Sequence, residues 1–338
     1  MKIKSNFYLA DYKLHQRRDR VQIYAIMDIK EDIEEYDQSL LDILLKDRTT
    51  NQNIIWATND YSKFGDMYKA ECEIKAHLIT NPKKKLIQPR ATKSYKKKSV
   101  RTREKAEVFT PSWICNEQNN LIDEQWFGRK DVFNIQKNKS WEVINEKIIF
   151  PNEKGRTWKN YVDARRMEIS CGEAPYLVSR YDTVTGKKIE LQSRIGLLDR
   201  KMRVVNENVD NEDEWIKWAE RAFQSIYGYE YQGDNLLLAR ENLLYTYIEN
   251  KIFKFGREPS IKELKRIATI ISWNLWQMDG ITFTVPLCDL RGWYRQLSLF
   301  DSFENLHSDK EPKYCRIKDW RSKVIVEYKS LVGGRTDG

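Results

Sequence analysis

Hydrophobic residues recur along the chain with two spacings, and the alternation between them predicts strands and helices in turn. Residues 166–171 and 225–230 are short apolar stretches bounded by turn formers, which is typical of buried strands. Residues 213–225 and 235–253 instead place apolar side chains three and four positions apart, and 260–276 pass from a helical pattern into a strand. Strands that alternate with helices favour an α/β fold with parallel strands.

The first 80 residues have a different arrangement of strand-like and helix-like segments, which predicts a small α+β domain. Residues 22–27 and 54–57 resemble buried strands, and residues 36–45 have near-helical apolar spacing. We expect three regions: an N-terminal domain over 1–80, a linker over 81–104, and a larger domain over 105–338.

The positive charge of the protein is concentrated in that linker. The net charge is +9, and ten basic residues fall between positions 83 and 103 with no acid among them. Subtracting these ten charges leaves −1 for the rest of the chain. They are Lys83, Lys84, Lys85, Arg90, Lys93, Lys96, Lys97, Lys98, Arg101 and Arg103. Such a run suits phosphate neutralisation and predicts salt-sensitive contact with DNA, although a solvated linker is the plainer interpretation.

Composition narrows the class of protein. Hydrophobic residues make up 41% of 338 residues, which is enough for a sizeable core and excludes wholesale disorder. No apolar run approaches the roughly 20 residues of a membrane span, and no secretory leader is visible, so we expect a cytoplasmic protein. Five scattered cysteines and three histidines predict free thiols rather than disulfides or a zinc site.

Three acidic residues stand where predicted strands end. They are Glu168, Glu230 and Asp279, and Gly172 follows the first of them closely. Doubly wound sheets bind ligands at the carboxyl ends of their strands, where an acid accepts hydrogen bonds from ribose hydroxyls and a glycine admits the ligand to the backbone. Acids at strand ends are common, however, so spacing alone also fits solvent-exposed turns.

Four segments together resemble the cofactor half of a gamma-type N6-adenine DNA methyltransferase of restriction–modification systems. Residues 107–114 (Glu-Val-Phe-Thr-Pro-Ser-Trp-Ile) resemble the first motif of this family, and residues 168–177 (Glu-Ile-Ser-Cys-Gly-Glu-Ala-Pro-Tyr-Leu) resemble its glycine motif. Residues 227–244, which begin Tyr-Gly-Tyr-Glu, resemble the second-strand motif, and residues 276–280 (Trp-Gln-Met-Asp-Gly) the third. The four occur in the family's order.

The resemblance implies a Rossmann-like class I methyltransferase core that binds S-adenosylmethionine. Phe109, Thr110 and Pro111 would line the methionine side of the cofactor, and Glu168 would lie near its ammonium group. Gly172 would let the backbone approach the cofactor. Glu230 would accept hydrogen bonds from the ribose hydroxyls, and Asp279 would accept one from the adenine amino group.

The chain departs from the family in its cofactor motifs. Ala174 stands where a second glycine is usual, and Gly172 lies 58 residues before Glu230, against about 20 in a simple nucleotide-binding unit. An insertion over 180–212 would absorb the difference. Asp199 is a rival for the ribose acid, although Glu230 has the better strand–turn–helix context.

The catalytic motif of the family, Asn/Asp-Pro-Pro-aromatic, is absent, because no two of the eight prolines are adjacent. That motif holds the flipped adenine and aligns its amino nitrogen for methylation. Two hypotheses follow. Either a second subunit supplies this motif and target recognition, making a split methyltransferase, or the chain is an inactive relative that binds DNA or serves as a scaffold in a restriction or phage-defence complex.

A third hypothesis is a nuclease. Glu327-Tyr-Lys329 follows a strand-like stretch and Asp319 lies upstream, a set that can hold Mg²⁺ and activate water. A charged edge strand explains the same residues.

Overall fold

A computed structural model of the protein describes residues 33–80, 86–93, 110–288 and 313–332. Sequence predictions for residues 22–27 and for Phe109 lie outside these ranges. The helices are α1 (Gln38–Leu45), α2 (Ala76–Ile79), α3 (Ser112–Phe127), α4 (Trp158–Asp163), α5 (Leu197–Asn208), α6 (Glu212–Gln224), α7 (Gly233–Phe255), α8 (Ile261–Asn274) and α9 (Tyr328–Val332). The strands are β1 (Asn134–Lys137), β2 (Ser140–Val143), β3 (Arg166–Glu168), β4 (Ile226–Glu230), β5 (Leu275–Gln277), β6 (Arg316–Asp319) and β7 (Val324–Glu327).

The central feature is a parallel sheet of three strands in the order β3-β4-β5. Glu168 of β3 pairs with Gly228 of β4, and Glu230 of β4 pairs with Gln277 of β5. Helices α5 and α6 connect the first two strands, and α7 and α8 connect the next two. The predicted α/β class with parallel strands is therefore confirmed.

Local sequence signals account for the helices between these strands. Asn211 caps α6 by accepting a hydrogen bond from the Glu214 amide, and Ser260 begins α8 with a reciprocal capping box to Glu263. Helix α7 ends at Gly256, whose left-handed φ of 66° allows the chain to leave the helix.

The two faces of the sheet are covered differently. Ile226 and Leu275 face the main core, which α5, α6, α7 and α8 share. On the other face, Tyr227, Tyr229 and Trp276 form a smaller cluster with the antiparallel β6–β7 hairpin and Tyr328. Neighbouring strand residues alternate between faces, so β4 and β5 contribute to both clusters.

Residues 33–80 belong to the same core as the rest, so the expected boundary at residue 80 does not separate two cores. Leu44 and Trp56 are fully buried within the main hydrophobic cluster. The Ile55 amide donates to Gln277 Oε1 (2.9 Å), and Gln277 Nε2 donates to the Ile55 carbonyl (2.8 Å). A Cβ on Gly233 would lie 2.1 Å from that same carbonyl oxygen, so only glycine fits there. The strand predicted at 54–57 forms only an isolated bridge.

No helix within the described ranges is both long and apolar enough to cross a membrane.

Candidate functional site

The three acidic residues singled out from the sequence lie at the carboxyl edge of the parallel sheet. Glu168 ends β3, Glu230 ends β4, and Asp279 follows β5 by two residues. Because neighbouring parallel strands end at the same edge, these side chains share one region of the molecule. Glu168 and Glu230 are buried, at 8% and 7% exposure, and Asp279 is half-buried.

The loop after β3 has an unusual backbone. Ser170, Gly172 and Ala174 all have positive φ values, of 48°, 54° and 63°. The Gly172 amide donates to Glu230 Oε2 at 2.8 Å, which ties this loop to the end of the neighbouring strand. Ala174 occupies the position of the missing family glycine, is fully buried and still adopts the left-handed conformation, which costs an alanine free energy.

Glu230 organises both loops at the edge. Besides the Gly172 amide at Oε2, its Oε1 accepts from the Gln232 amide at 3.0 Å. A carboxylate has about four lone-pair sites, so these two bonds account for about half of its accepting capacity.

Glu168 is held in a less polar setting. Its carboxylate accepts from the Tyr176 and Leu177 amides at 3.3 and 3.2 Å. Burial raises the pKa of Glu168 well above its usual value, the two amides oppose this rise, and the charge of Glu230 adds to it. A cationic group beside Glu168 would favour its ionised form, so the position suits an ammonium ligand.

Asp279 closes a turn after β5. Its Oδ1 accepts from the Ile281 and Thr282 amides at 2.8 and 3.2 Å, and no hydrogen bond reaches its Oδ2 from the described residues. Burial of the half-buried Tyr231 raises the pKa of its phenol, and the charge of Asp279 raises it further.

Thr110 and Pro111 lead into helix α3, which begins at Ser112. The Ser112 amide donates to Asp182 Oδ2 (2.9 Å). The carbonyl of Thr110 accepts from Thr183 Oγ1 at 3.1 Å. Burial raises the pKa of Cys115 in the first turn, and the Glu168 charge raises it further.

The basic linker is described only in part, and its described part lies against this site. Lys83, Lys84, Lys85, Lys96, Lys97, Lys98, Arg101 and Arg103 fall outside the described residues. Residues 86–93, here called the strap, pack Ile87 into the main core. The Arg90 amide donates to Glu173 Oε1 at 2.6 Å, and the Lys93 ammonium lies 3.3 Å from Asp234 Oδ2.

The sequence analysis predicted that Lys93 contacts DNA, whereas in the structure its ammonium lies against a carboxylate of the protein itself. The side chains of Lys93 and Asp234 are 7% and 0% exposed, so the ammonium faces a buried carboxylate and not solvent. Tyr61 also donates to Asp234 Oδ2, at 2.9 Å, and Tyr181 donates to Glu173 Oε2 at 2.6 Å.

Sequence reasoning missed Glu173 and Asp234 as anchors of the strap. The only available signals were that both lie inside the motifs quoted above, the first as an added acid in the glycine loop and the second in the Gln-Gly-Asp turn.

The structure distinguishes Glu230 from its rival. Asp199 lies in the first turn of α5, where its Oδ2 accepts from the Ser179 amide (2.8 Å) and the Gly196 amide (3.1 Å). It is thus committed to holding loop 179–196 rather than placed at a strand end.

The residues of the nuclease hypothesis are not brought together. In the β6–β7 hairpin, Glu327 pairs with Arg316 at one end and Asp319 pairs with Val324 at the other. Lys329 donates to the Tyr314 hydroxyl at 2.6 Å. Within the part of the chain that the structure describes, no three His, Cys, Asp or Glu side chains form a group that would hold a metal ion.

Comparisons of this chain with protein-family models, with curated proteins and with solved structures find no match.

Proposed function

We propose that this chain is the S-adenosylmethionine-binding subunit of a split bacterial DNA N6-adenine methyltransferase of a restriction–modification or defence system. The core is a Rossmann-like half-sheet, and a second protein subunit supplies the Asn-Pro-Pro-aromatic motif and target recognition. DNA is the shared substrate. No catalytic residue is assigned to this chain.

One observation carries the proposal: Gly172 and Glu230, which the family resemblance assigns to the cofactor, are joined by a 2.8 Å hydrogen bond across neighbouring strand ends. Glu168 and Asp279 lie at the same edge. A methionine ammonium beside Glu168, ribose hydroxyls at Glu230 and an adenine amino group at Asp279 would follow the strand order β3-β4-β5.

The second candidate is an inactive methyltransferase-like subunit that binds DNA or serves as a scaffold in a restriction or phage-defence complex. It is favoured by the left-handed Ala174 in place of glycine and by the strap, which engages Glu173 and Asp234 beside the proposed cleft.

Calorimetric titration of the purified chain with S-adenosylmethionine tests the proposal. Glu230→Gln keeps the volume of the side chain but weakens its capacity to accept hydrogen bonds from the ribose hydroxyls. Asp279→Asn does the same for the hydrogen bond from the adenine amino group. Losing a hydrogen bond to a charged acceptor costs about 1.5–3 kcal/mol, so we expect each variant to weaken binding by roughly 10- to 100-fold.

Glu142→Gln is the matched control, because Glu142 is exposed on β2. Equal weakening by all three variants would contradict the site. Absence of binding both by the isolated chain and by a co-purified complex would favour the inactive subunit.

A further inference from the structure

The opposite edge of the sheet, where the strands begin, gathers positive charge from distant parts of the chain. Arg165 precedes β3, Arg221 lies in the last turn of α6 before β4, and Arg48 donates to Ser272 Oγ (2.8 Å) near the end of α8, before β5. The β6–β7 hairpin adds three more cations. The amino-edge basic face is the set Arg48, Arg165, Arg221, Arg316, Lys318 and Arg321.

Two half-buried tryptophans lie among these cations. The Lys318 ammonium is 4.4 Å from the ring centroid of Trp320 and 5.9 Å from that of Trp273. The Arg48 guanidinium approaches Trp273 at 5.8 Å. Trp320 is fixed by a 2.6 Å hydrogen bond from its Nε1 to Asn274 Oδ1. The face thus combines cations with rigid aromatic surface.

A shallow depression of the surface lies beside Trp320. Its charged lining consists of Arg165, Arg221 and Arg321 against Asp163 and Asp319. Arg165 and Arg321 donate to these carboxylates at 2.9 and 2.6 Å, and Arg221 pairs with Asp163. Each guanidinium has five N–H donors, so three of them exceed what two carboxylates accept.

The remaining cations of the face lack carboxylate partners. Within the described ranges, no carboxylate oxygen lies within 4 Å of the charged nitrogens of Arg48, Arg316 or Lys318. Arg316 is exposed and Lys318 is half-buried. Like charges gathered in this way repel one another, and an anionic ligand relieves that repulsion.

We propose that the amino-edge basic face is a nucleic-acid-binding surface that contacts the sugar–phosphate backbone. The cations match the phosphates, and the tryptophan rings offer surface for sugars or unpaired bases. This surface lies at the opposite edge from the proposed cofactor site and includes none of residues 83–103. The inference does not rest on methyltransferase function.

Fluorescence anisotropy with a short labelled DNA duplex, measured between about 50 and 200 mM salt, tests the inference. The variant is Arg316→Gln with Lys318→Gln, because neither side chain forms an ion pair with a carboxylate of the described ranges. Each lost phosphate contact lowers the steepness of log Kobs against log salt by about 0.9, so we expect a decrease of about 2. The control is Lys139→Gln with Lys187→Gln, two exposed lysines outside the face that remove the same charge. A thermal melt verifies that both variants fold.

Two further arms make the result decisive. The same pair of substitutions is made in a chain whose Lys83–Lys85 and Lys96–Lys98 are glutamines, where we expect the residual DNA binding to depend on the face. The inference is overturned if the salt dependence equals that of the control, or if this background retains no binding. It is overturned equally if inorganic phosphate displaces the duplex at matched phosphate concentration, because the face would then be a free-anion site.

Discussion

The parallel sheet buries different kinds of ionisable side chain at its two ends: carboxyl groups where the strands end and basic groups where they begin. At the carboxyl edge, Glu168 and Glu230 are buried and accept backbone N–H groups. At the amino edge, Lys201 and Arg240 are buried and donate to oxygen atoms, Lys201 to the Val162 carbonyl (3.0 Å) and Ser225 Oγ (2.5 Å).

Helix direction explains this separation. Helix α7 begins just after β4 ends, so its unsatisfied N–H groups lie at the carboxyl edge, whereas α6 and α8 end just before β4 and β5 begin. Helix N-termini favour anions and helix C-termini favour cations. The comparison teaches that the alternation of strands and helices favours buried carboxyl groups where the strands end and buried basic groups where they begin.

The largest expected loss of stability follows from substitution of Arg240. Its guanidinium donates to the carbonyls of Leu275 (2.9 and 2.6 Å), Ser272 (3.4 Å), Lys46 (3.1 Å) and Leu44, at the C-terminal ends of α1 and α8. Burial lowers the pKa of Arg240 to about 9. Arg240→Met leaves these buried carbonyls unpaired, so we expect a loss of about 3–5 kcal/mol in the free energy of unfolding, measured by urea denaturation.

The control for this change is Arg257→Met, since Arg257 is 65% exposed and pairs with the partly exposed Glu212. We expect it to cost less than about 1 kcal/mol. Similar losses in the two variants would contradict the role given to the buried guanidinium.

The next effect concerns the Lys93–Asp234 ion pair at the carboxyl edge. Lys93→Ala removes the ammonium beside a fully buried carboxylate, so we expect local opening of the strap to become easier by about 2–4 kcal/mol. Amide hydrogen exchange of residues 86–93 measures this. Adding Asp234→Asn removes the charge of that carboxylate and restores part of the protection, and unchanged exchange in the single variant would contradict the role of Lys93 in holding the strap.

A smaller effect is expected from the pH dependence of stability. Burial raises the pKa of Glu168 in the folded state, so the folded chain keeps a proton that the unfolded chain has released. The stability contributed by this proton is complete below the unfolded value of about 4.3 and is lost as pH rises through the folded pKa. Urea midpoints across this range should fall less in Glu168→Gln than in the unmodified chain. A Glu142→Gln control should retain the full fall, and parallel curves for all three proteins would contradict the assignment.

The smallest effect is expected at the amino edge. The Arg165–Asp319 pair is 51% and 30% exposed, so Arg165→Gln should lower the free energy of unfolding by less than about 1 kcal/mol. The same urea titration measures it. A loss above 2 kcal/mol would show that the hairpin is held to the sheet by this pair.

Local patterns predicted the elements that carry their own signals. Helix α7 and strand β4 lie within two residues of their predicted bounds, because a long apolar period and a capping glycine identify them directly. The strand ends that bear Glu168, Glu230 and Asp279 were predictable for the same reason.

Long-range contacts were not predictable in this way. Residues 54–57 have the composition of a strand. In place of a full neighbouring strand, however, the side-chain amide of Gln277 exchanges two hydrogen bonds with the backbone there. The engagement of Lys93 by Asp234 joins positions 141 residues apart. The cations of the amino edge come from four separate segments of the chain. None of these segments has an unusual excess of basic residues, so the sequence does not reveal the face.

The shared core of residues 33–80 has a consequence for how the protein is made. Arg48 contacts Ser272, 224 residues later, and Leu44 receives its hydrogen bond from Arg240. At about 5–20 residues per second, the ribosome needs roughly 10–45 seconds to synthesise the chain between these partners. During that interval Leu40, Leu41 and Leu44 have no completed core to enter. Residues 33–80 can thus complete their core only after α8 has been synthesised, so the leucines of α1 stay without their partners in the nascent chain until then.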